Sequence, residues 1–153
     1  MKVETIKVVN AYKALKEMKV NDVDENEMVS VWNNLKSFRK IVENYDKDVS
    51  DRNDSLIDNK VKEMSERRNK ALQLENEEKA GKYKRTPKDI QEVQELNIYF
   101  NSFNDKYNKA MKDIADKAVE VTISKIDAKE FIKAFKQSSK TMGDIMELDW
   151  LTK

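Results

Sequence analysis

The side chains best suited to acid–base, nucleophilic or metal chemistry at neutral pH are missing from this chain. Its 153 residues include no His and no Cys, which excludes an imidazole base, a thiolate nucleophile, a disulfide and a zinc site built on those ligands. The chain has 2 Gly, too few for a Gly-rich phosphate-binding loop. We therefore expect a protein that is not an enzyme and that binds no cofactor.

Pairs of carboxylates are the remaining candidates for a metal site. Asp113 with Asp116, and Asp22 with Asp24, could offer oxygen ligands to a hard cation. The EF-hand pattern Asp-x-Asp-x-Asn-Gly is not completed, because its glycine is missing. Nothing in the sequence fixes the geometry of these carboxylates, so we expect no metal.

A basic cluster lies between residues 79 and 88. It places cationic side chains around one aromatic ring: Lys79, Lys82, Tyr83, Lys84, Arg85 and Lys88. The cations could contact phosphates while the ring of Tyr83 stacks on a base. A solvated Lys-rich turn is the alternative, since Glu75 and Glu78 come just before it. With a net charge of +1, we expect nucleic acid to bind nowhere except at this turn.

Two aromatic residues elsewhere are candidates for contact with a partner protein. Tyr99 falls off the apolar face of its predicted helix, whereas Phe100 follows that face. Trp150 lies in an apolar tail, and Trp is enriched in interface hot spots. The alternative for Trp150 is that it packs back onto Trp32. The predicted partner-binding residues are Lys82, Tyr83, Lys84, Arg85, Tyr99 and Trp150.

The elements that position these residues are predicted to be mainly helices. Apolar residues recur in steps of three and four from Met28 to Val49, and after the polar stretch 51–55 the seam resumes from Ile57 to Ala71, which is typical of a helix with one buried face. Asp24, with Glu27 three residues later, is a helix-start signal. We predict one helix from about 25 to 78, roughly 80 Å long at 1.5 Å per residue. A break within residues 51–55 is left open.

A second long helix is predicted after the basic cluster. Thr86 before Pro87 is a helix-start signal, and an apolar seam then runs from Ile90 to Ile114, which predicts a helix to about Ala118. The short connection makes the two helices antiparallel neighbours. A hairpin this thin exposes part of its seam, so we expect two copies to form a four-helix bundle or the hairpin to lie along another protein.

The two chain ends are predicted to form a small head around the base of the hairpin. Helical spacing indicates a short helix from Ile6 to Met18. The alternation in residues 119–124 predicts a short strand, paired with either residues 1–5 or residues 19–23. A last helix is predicted from Asp127 to near Gly143.

The predicted fold is therefore mainly α, a coiled-coil-like antiparallel hairpin with a small α-rich head and one short strand. We predict a single domain, 1–153, with the head at 1–47 and 119–153 and the helical arm at 48–118. No apolar run approaches the roughly 18 residues that span a bilayer, and the charged start Met1-Lys2-Val3-Glu4 is unlike a secretory signal. We expect a cytoplasmic protein that does not bind membranes.

Four short segments carry a resemblance to a known group of proteins. They are Asn10–Leu15, Asn33–Phe38, Phe103–Tyr107 and Val119–Ile123. Their order along the chain resembles that in small uncharacterised bacteriophage proteins of about the same length. The resemblance implies a phage-encoded protein that acts inside the host cell, and it transfers no catalytic residue.

Taken together, the sequence predicts a non-enzymatic protein that works by binding another protein. An inhibitor of a host defence nuclease, such as a CRISPR effector, would need only a rigid complementary surface. One alternative is a virion-assembly scaffold or tail chaperone that self-associates through the arm. Another is a protein that contacts nucleic acid through residues 79–88.

Overall fold

The structure, a computed structural model, describes residues 1–136 and 138–153 and confirms the mainly α class. Its elements are β1 (Lys2–Glu4), α1 (Thr5–Glu17), α2 (Glu25–Leu56), α3 (Asn59–Lys79), α4 (Pro87–Ala115), β2 (Ala118–Glu120), α5 (Ala128–Phe135), α6 (Met142–Met146) and a final 3₁₀ turn, Asp149–Leu151. The chain divides into two compact units. We call Met1–Asp48 with Ile114–Lys153 the terminal unit, and Val49–Asp113 the hairpin unit. Across the described residues, no helix is long and apolar enough to cross a membrane.

The first long helix is interrupted, so the prediction of one rod from 25 to 78 is wrong. Helix α2 ends at Leu56, and α3 begins at Asn59. The side chain of Asp58 accepts a hydrogen bond from the backbone N–H of Val61 at 2.9 Å and so caps the new helix. The break therefore lies just beyond the polar stretch 51–55 that the sequence had singled out.

The turn between α3 and α4 is built by one glycine. Gly81 has φ 69°, a left-handed conformation that side chains disfavour. Its N–H donates to the Glu78 carbonyl at 3.0 Å, and the N–H of Lys82 donates to the Glu77 carbonyl at 2.9 Å. This pair of bonds is the Schellman arrangement, which satisfies the last carbonyls of α3 and reverses the chain.

Helices α3 and α4 pack against each other as the predicted antiparallel hairpin. Met64 and Ala71 of α3 form a small buried cluster with Leu96 of α4. Beside that cluster, Arg67 makes a two-pronged ion pair with Glu92, with both nitrogen-to-oxygen distances 2.7 Å. Helix α4 begins at Pro87 as predicted and ends at Ala115, before the predicted Ala118.

The terminal unit contains a two-stranded antiparallel sheet. Strand β1 pairs with β2 in the register Lys2↔Glu120, Val3↔Val119 and Glu4↔Ala118. The sequence left residues 1–5 and residues 19–23 as possible partners for this strand, and residues 1–5 form the partner strand. The predicted strand at 119–124 is wrong in extent, because β2 spans Ala118–Glu120 and the pairing continues only through the two hydrogen bonds between Met1 and Val121.

A buried asparagine holds the chain that follows the sheet. The side-chain amide of Asn34 donates to the Ser124 carbonyl at 2.8 Å, and its oxygen accepts from the Ser124 N–H at 2.7 Å. Asn34 is fully buried on α2. It therefore satisfies the two backbone groups of Ser124, which lie beyond the paired strands.

The core of the terminal unit draws on both ends of the chain. Helix α1 contributes Val8 and Leu15, α2 contributes Phe38, and the C-terminal part contributes the three side chains Phe131, Phe135 and Leu151. The predicted last helix from Asp127 to near Gly143 is wrong. It ends at Phe135, and α6 starts afresh at Met142 behind Thr141, which caps it. Gln137, inside the predicted helix, lies outside the described residues.

Replacing Asn34 by Leu should destabilise the terminal unit by about 2–4 kcal/mol, because the Ser124 N–H and C=O would lose their partners while remaining largely shielded from water. Urea unfolding followed by circular dichroism measures this loss. Asn33 is exposed on the same helix, so Asn33→Leu is the matched control and should change stability by less than about 0.5 kcal/mol. Equal effects of the two substitutions would contradict the anchoring role of Asn34.

Candidate partner-binding surfaces

The basic cluster at 79–88 contains an internal ion pair. Glu78 accepts from the backbone N–H of Arg85 at 3.0 Å and from its guanidinium Nε at 2.6 Å. A second carboxylate, Glu75, lies 4.0 Å from the same guanidinium. These contacts leave the Arg85 side chain 23% exposed. Arg85 therefore braces the turn, and a phosphate would have to displace Glu78 to reach it.

The same contacts shift the acidity of Glu78. The Arg85 backbone N–H, and then its guanidinium, donate to the carboxylate and lower the pKa of Glu78 below its ordinary value. Glu78 also raises the pKa of Arg85 by accepting its hydrogen bond. At neutral pH the pair is fully charged, and Arg85 adds little free positive charge to the loop.

Tyr83 is held by the start of α4. Its hydroxyl donates to Asp89 Oδ2 at 2.9 Å, which raises the pKa of Tyr83. The same carboxylate accepts from the side-chain hydroxyl and the backbone N–H of Thr86, both at 2.7 Å. The Thr86 hydroxyl, the Thr86 N–H and the Tyr83 hydroxyl together lower the pKa of Asp89. The ring of Tyr83 is thus fixed in place while remaining 37% exposed.

The lysines of the cluster differ in their partners. Lys79 pairs with Glu75 at 2.8 Å. Within the part of the chain that the structure describes, Lys82 and Lys84 form no ion pair, and both side chains are exposed. Lys88 is likewise exposed and forms no ion pair among the described residues, so the cluster offers a mixed-charge surface with three available cations, which is a small basis for binding a polyanion.

Tyr99 lies in the hairpin unit at a distance from the loop. It is twelve residues beyond Pro87 on α4, about 18 Å along the helix axis. Its ring meets Phe100 edge-on, with ring centroids 5.2 Å apart, and the ammonium of Lys60 lies 5.8 Å from the ring centroid. Tyr99 is half-buried at the edge of the hairpin cluster. It does not share one site with Tyr83.

Trp150 belongs to the terminal unit and packs on Phe38, with ring centroids 5.8 Å apart. The expected contact between Trp150 and Trp32 is therefore wrong, and Trp32 is 63% exposed. Trp150 is half-buried and lines a groove of about 720 Å³ between β1, the start of α1 and Met146–Trp150. Its indole N–H is buried without an acceptor among the described residues, and such an unpaired donor costs about 1–3 kcal/mol.

Sequence reasoning did not select several exposed apolar side chains on the long helices. Ile98 on α4 is 72% exposed and Ile90, about two turns earlier, is 48% exposed. On α2 of the terminal unit, Trp32 and Val29 are 63% and 57% exposed. Ile90 begins the apolar seam of α4, whereas Ile98, Val29 and Trp32 lie off the main seams of their helices, so helical spacing could have marked these three as exposed.

Acidic side chains do not converge into a metal site in the described part of the chain. Groups of three or more His, Cys, Asp or Glu with suitable geometry are not found among those residues. No protein-family model, curated protein or solved structure matches this chain. The function must therefore be argued from the surfaces described above.

The Arg85–Glu78 pair predicts a specific pH dependence. Because the pKa of Glu78 is lower in the folded protein than in the unfolded chain, the pair stabilises the turn above the ordinary carboxyl value of 4.5. That contribution disappears as the pH falls through the lowered pKa. A carboxyl NMR titration should give Glu78 a midpoint below 4.5.

Arg85→Gln should move the Glu78 midpoint upward, since it removes the guanidinium donor. Lys82→Gln removes the same charge from the same loop without touching Glu78, and it should leave the midpoint where it is. An ordinary midpoint in the parent protein, or equal shifts in the two variants, would contradict the pairing.

Proposed function

We propose that this protein is a non-enzymatic binding module whose hairpin unit docks on another protein. The observation that carries the proposal is the small amount of apolar surface buried within that unit. Its buried hydrophobic side chains, all of Val49–Asp113 being described, are Val61, Met64, Ala71 and Leu96. Two packed helices with so thin a core are marginally stable by themselves.

The exposed apolar residues of α4 support a docking role. Ile98 lies about 160° around α4 from Leu96, and Ile90, at the start of the apolar seam, lies about 80° from Ile98. A partner helix or groove that covers the side of α4 between them would contact both isoleucines. A partner that covers this face would add the apolar burial that α3 and α4 lack between themselves.

The kind of partner is inferred from chemistry and from the phage resemblance. A chain without His or Cys is better suited to occupying a surface than to catalysis. An inhibitor of a host defence nuclease, such as a CRISPR effector, acts through surface complementarity alone. We therefore propose a phage-encoded inhibitor of such an enzyme, acting in the cytoplasm of the host cell.

Nucleic-acid contact through residues 79–88 is a less favoured candidate. Arg85 is engaged by Glu78, and Lys79 by Glu75. Lys82, Lys84 and Lys88 remain, and three phosphate contacts give weak and strongly salt-dependent binding. A virion-assembly role stays an alternative, because self-association of the hairpin unit would use the same exposed face.

The test is to capture proteins from host bacteria with the full chain as bait and to measure binding of the purified partner. Replacing both Ile90 and Ile98 by Gln should weaken that binding at least about tenfold, because two buried apolar side chains are lost from the interface. Gln has a helix propensity at least as high as that of Ile, so the helical circular dichroism signal should be unchanged. If the captured protein is a nuclease, the parent chain should also block its cleavage of DNA or RNA.

The matched control replaces Asn104 and Asn108, both exposed on α4, by Gln. It should bind as the parent does. Equal binding by the Ile90→Gln/Ile98→Gln variant and the parent would remove α4 as the docking face. Failure of the parent chain to retain any host or phage protein would contradict the binding-module proposal itself.

A further inference from the structure

The exposed face of α2 in the terminal unit has a second, regular seam. Beginning at the first residue of the helix, side chains follow one another in steps of four, three and four: Glu25, Val29, Trp32 and Lys36. All four side chains are exposed. This is the spacing of a coiled-coil contact line, and it lies beside the buried line that includes Val31 and Phe38.

The centre of this seam is apolar and unusually open. Trp32 is 63% exposed and Val29 is 57% exposed, although indole rings normally bury most of their surface. Opposite charges flank the centre, with Glu25 one turn before Val29 and Lys36 one turn after Trp32. Neither Glu25 nor Lys36 forms an ion pair among the described residues.

When a second copy of this segment runs in the opposite direction, each negative charge meets a positive charge. If a second α2 lies antiparallel, with the two-fold axis between Val29 and Trp32, then Val29 faces Trp32 of the second copy. Glu25 then faces Lys36 of the second copy, and the symmetry repeats both contacts. A parallel arrangement would instead set Glu25 against Glu25 and Lys36 against Lys36, which is repulsive.

We propose that α2 is a self-association surface, on which a second copy of this chain docks antiparallel through Val29 and Trp32 with reciprocal Glu25–Lys36 ion pairs. The two-fold symmetry closes the contact, so the product is a dimer and not a filament. The surface lies in the terminal unit, and it is separate from the α4 face in the proposed function. Either proposal can therefore fail without the other.

Charge reversal tests the proposed register directly. Sedimentation velocity of the full chain from about 1 μM to about 1 mM should reveal a monomer–dimer equilibrium. Lys36→Glu should weaken dimerisation about tenfold or more, because one substitution turns both symmetric ion pairs into repulsions. Glu25→Lys should do the same. The double variant Glu25→Lys/Lys36→Glu should dimerise like the parent, since the pairs are restored with their signs exchanged.

Three controls keep the test decisive. Lys47→Glu makes the same charge change on α2, about 16 Å further along the helix, and should dimerise like the parent. Trp32→Gln should weaken dimerisation at least about tenfold, through lost apolar contact, with unchanged helicity. Ile90→Gln/Ile98→Gln should leave this dimer unaffected, which distinguishes it from association through the hairpin unit.

The following results would contradict the proposed α2 dimer. A parent chain that stays monomeric at the highest concentration would overturn the proposal, and a different protein found on α2 would do so as well. A dimer that tolerates Lys36→Glu as well as it tolerates Lys47→Glu must use another surface. Failure of the double charge exchange to restore dimerisation would overturn the antiparallel register.

Discussion

The small number of apolar side chains limits what this structure can bury, and their uneven distribution determines its properties. Charged residues make up 39% of the sequence, well above the roughly 25% of an ordinary globular domain. The large buried side chains Phe38, Phe131 and Phe135 all lie in the terminal unit. The hairpin unit has a few smaller apolar contacts together with ion pairs such as Arg67–Glu92 and Arg85–Glu78. Hydrophobic burial is the main favourable term in folding, so the two units should differ in stability.

The long helices and their reversal could be predicted because local rules determine them. Pro87 suits only the first turn of a helix, and Gly81 adopts the positive φ that the chain reversal requires. The break before α3 was misplaced for a physical reason. Asp58 is a good cap, but so are Asp51 and Asp54, and their propensities are alike. What distinguishes Asp58 is the bond that it makes to the Val61 N–H.

Errors in the terminal unit have a tertiary cause. The alternating pattern after residue 118 is typical of a strand, but β2 ends at Glu120 and the last paired residues are Val121 and Met1. Beyond it, the backbone of Ser124 pairs with the buried side chain of Asn34. A polar residue inside an apolar seam gives no hint of such a partner ninety residues away. Trp32, which the sequence offered as a packing partner for Trp150, is exposed, whereas Asn34, two residues further along α2, is buried.

The candidate surfaces follow from this distribution of burial. Tyr83 and Arg85 were selected as free binding groups, but Asp89 and Glu78 use both of them to hold the turn. Hydrogen bonding to neighbouring carboxylates is the ordinary use of such side chains in a short loop. Val29, Trp32 and Ile98, in contrast, each keep more than half of the side chain exposed. The binding surfaces that we propose are therefore helix faces, not the basic loop.

The hairpin unit should be marginally stable in the free protein, because it buries so little apolar surface. Native-state hydrogen exchange of the full chain by itself measures the local stability of each helix. We expect amides in the middle of α3 and α4 to exchange at least about tenfold faster than those of α1 around Val8 and Leu15. Equal protection of α3, α4 and α1 in the free protein would contradict it.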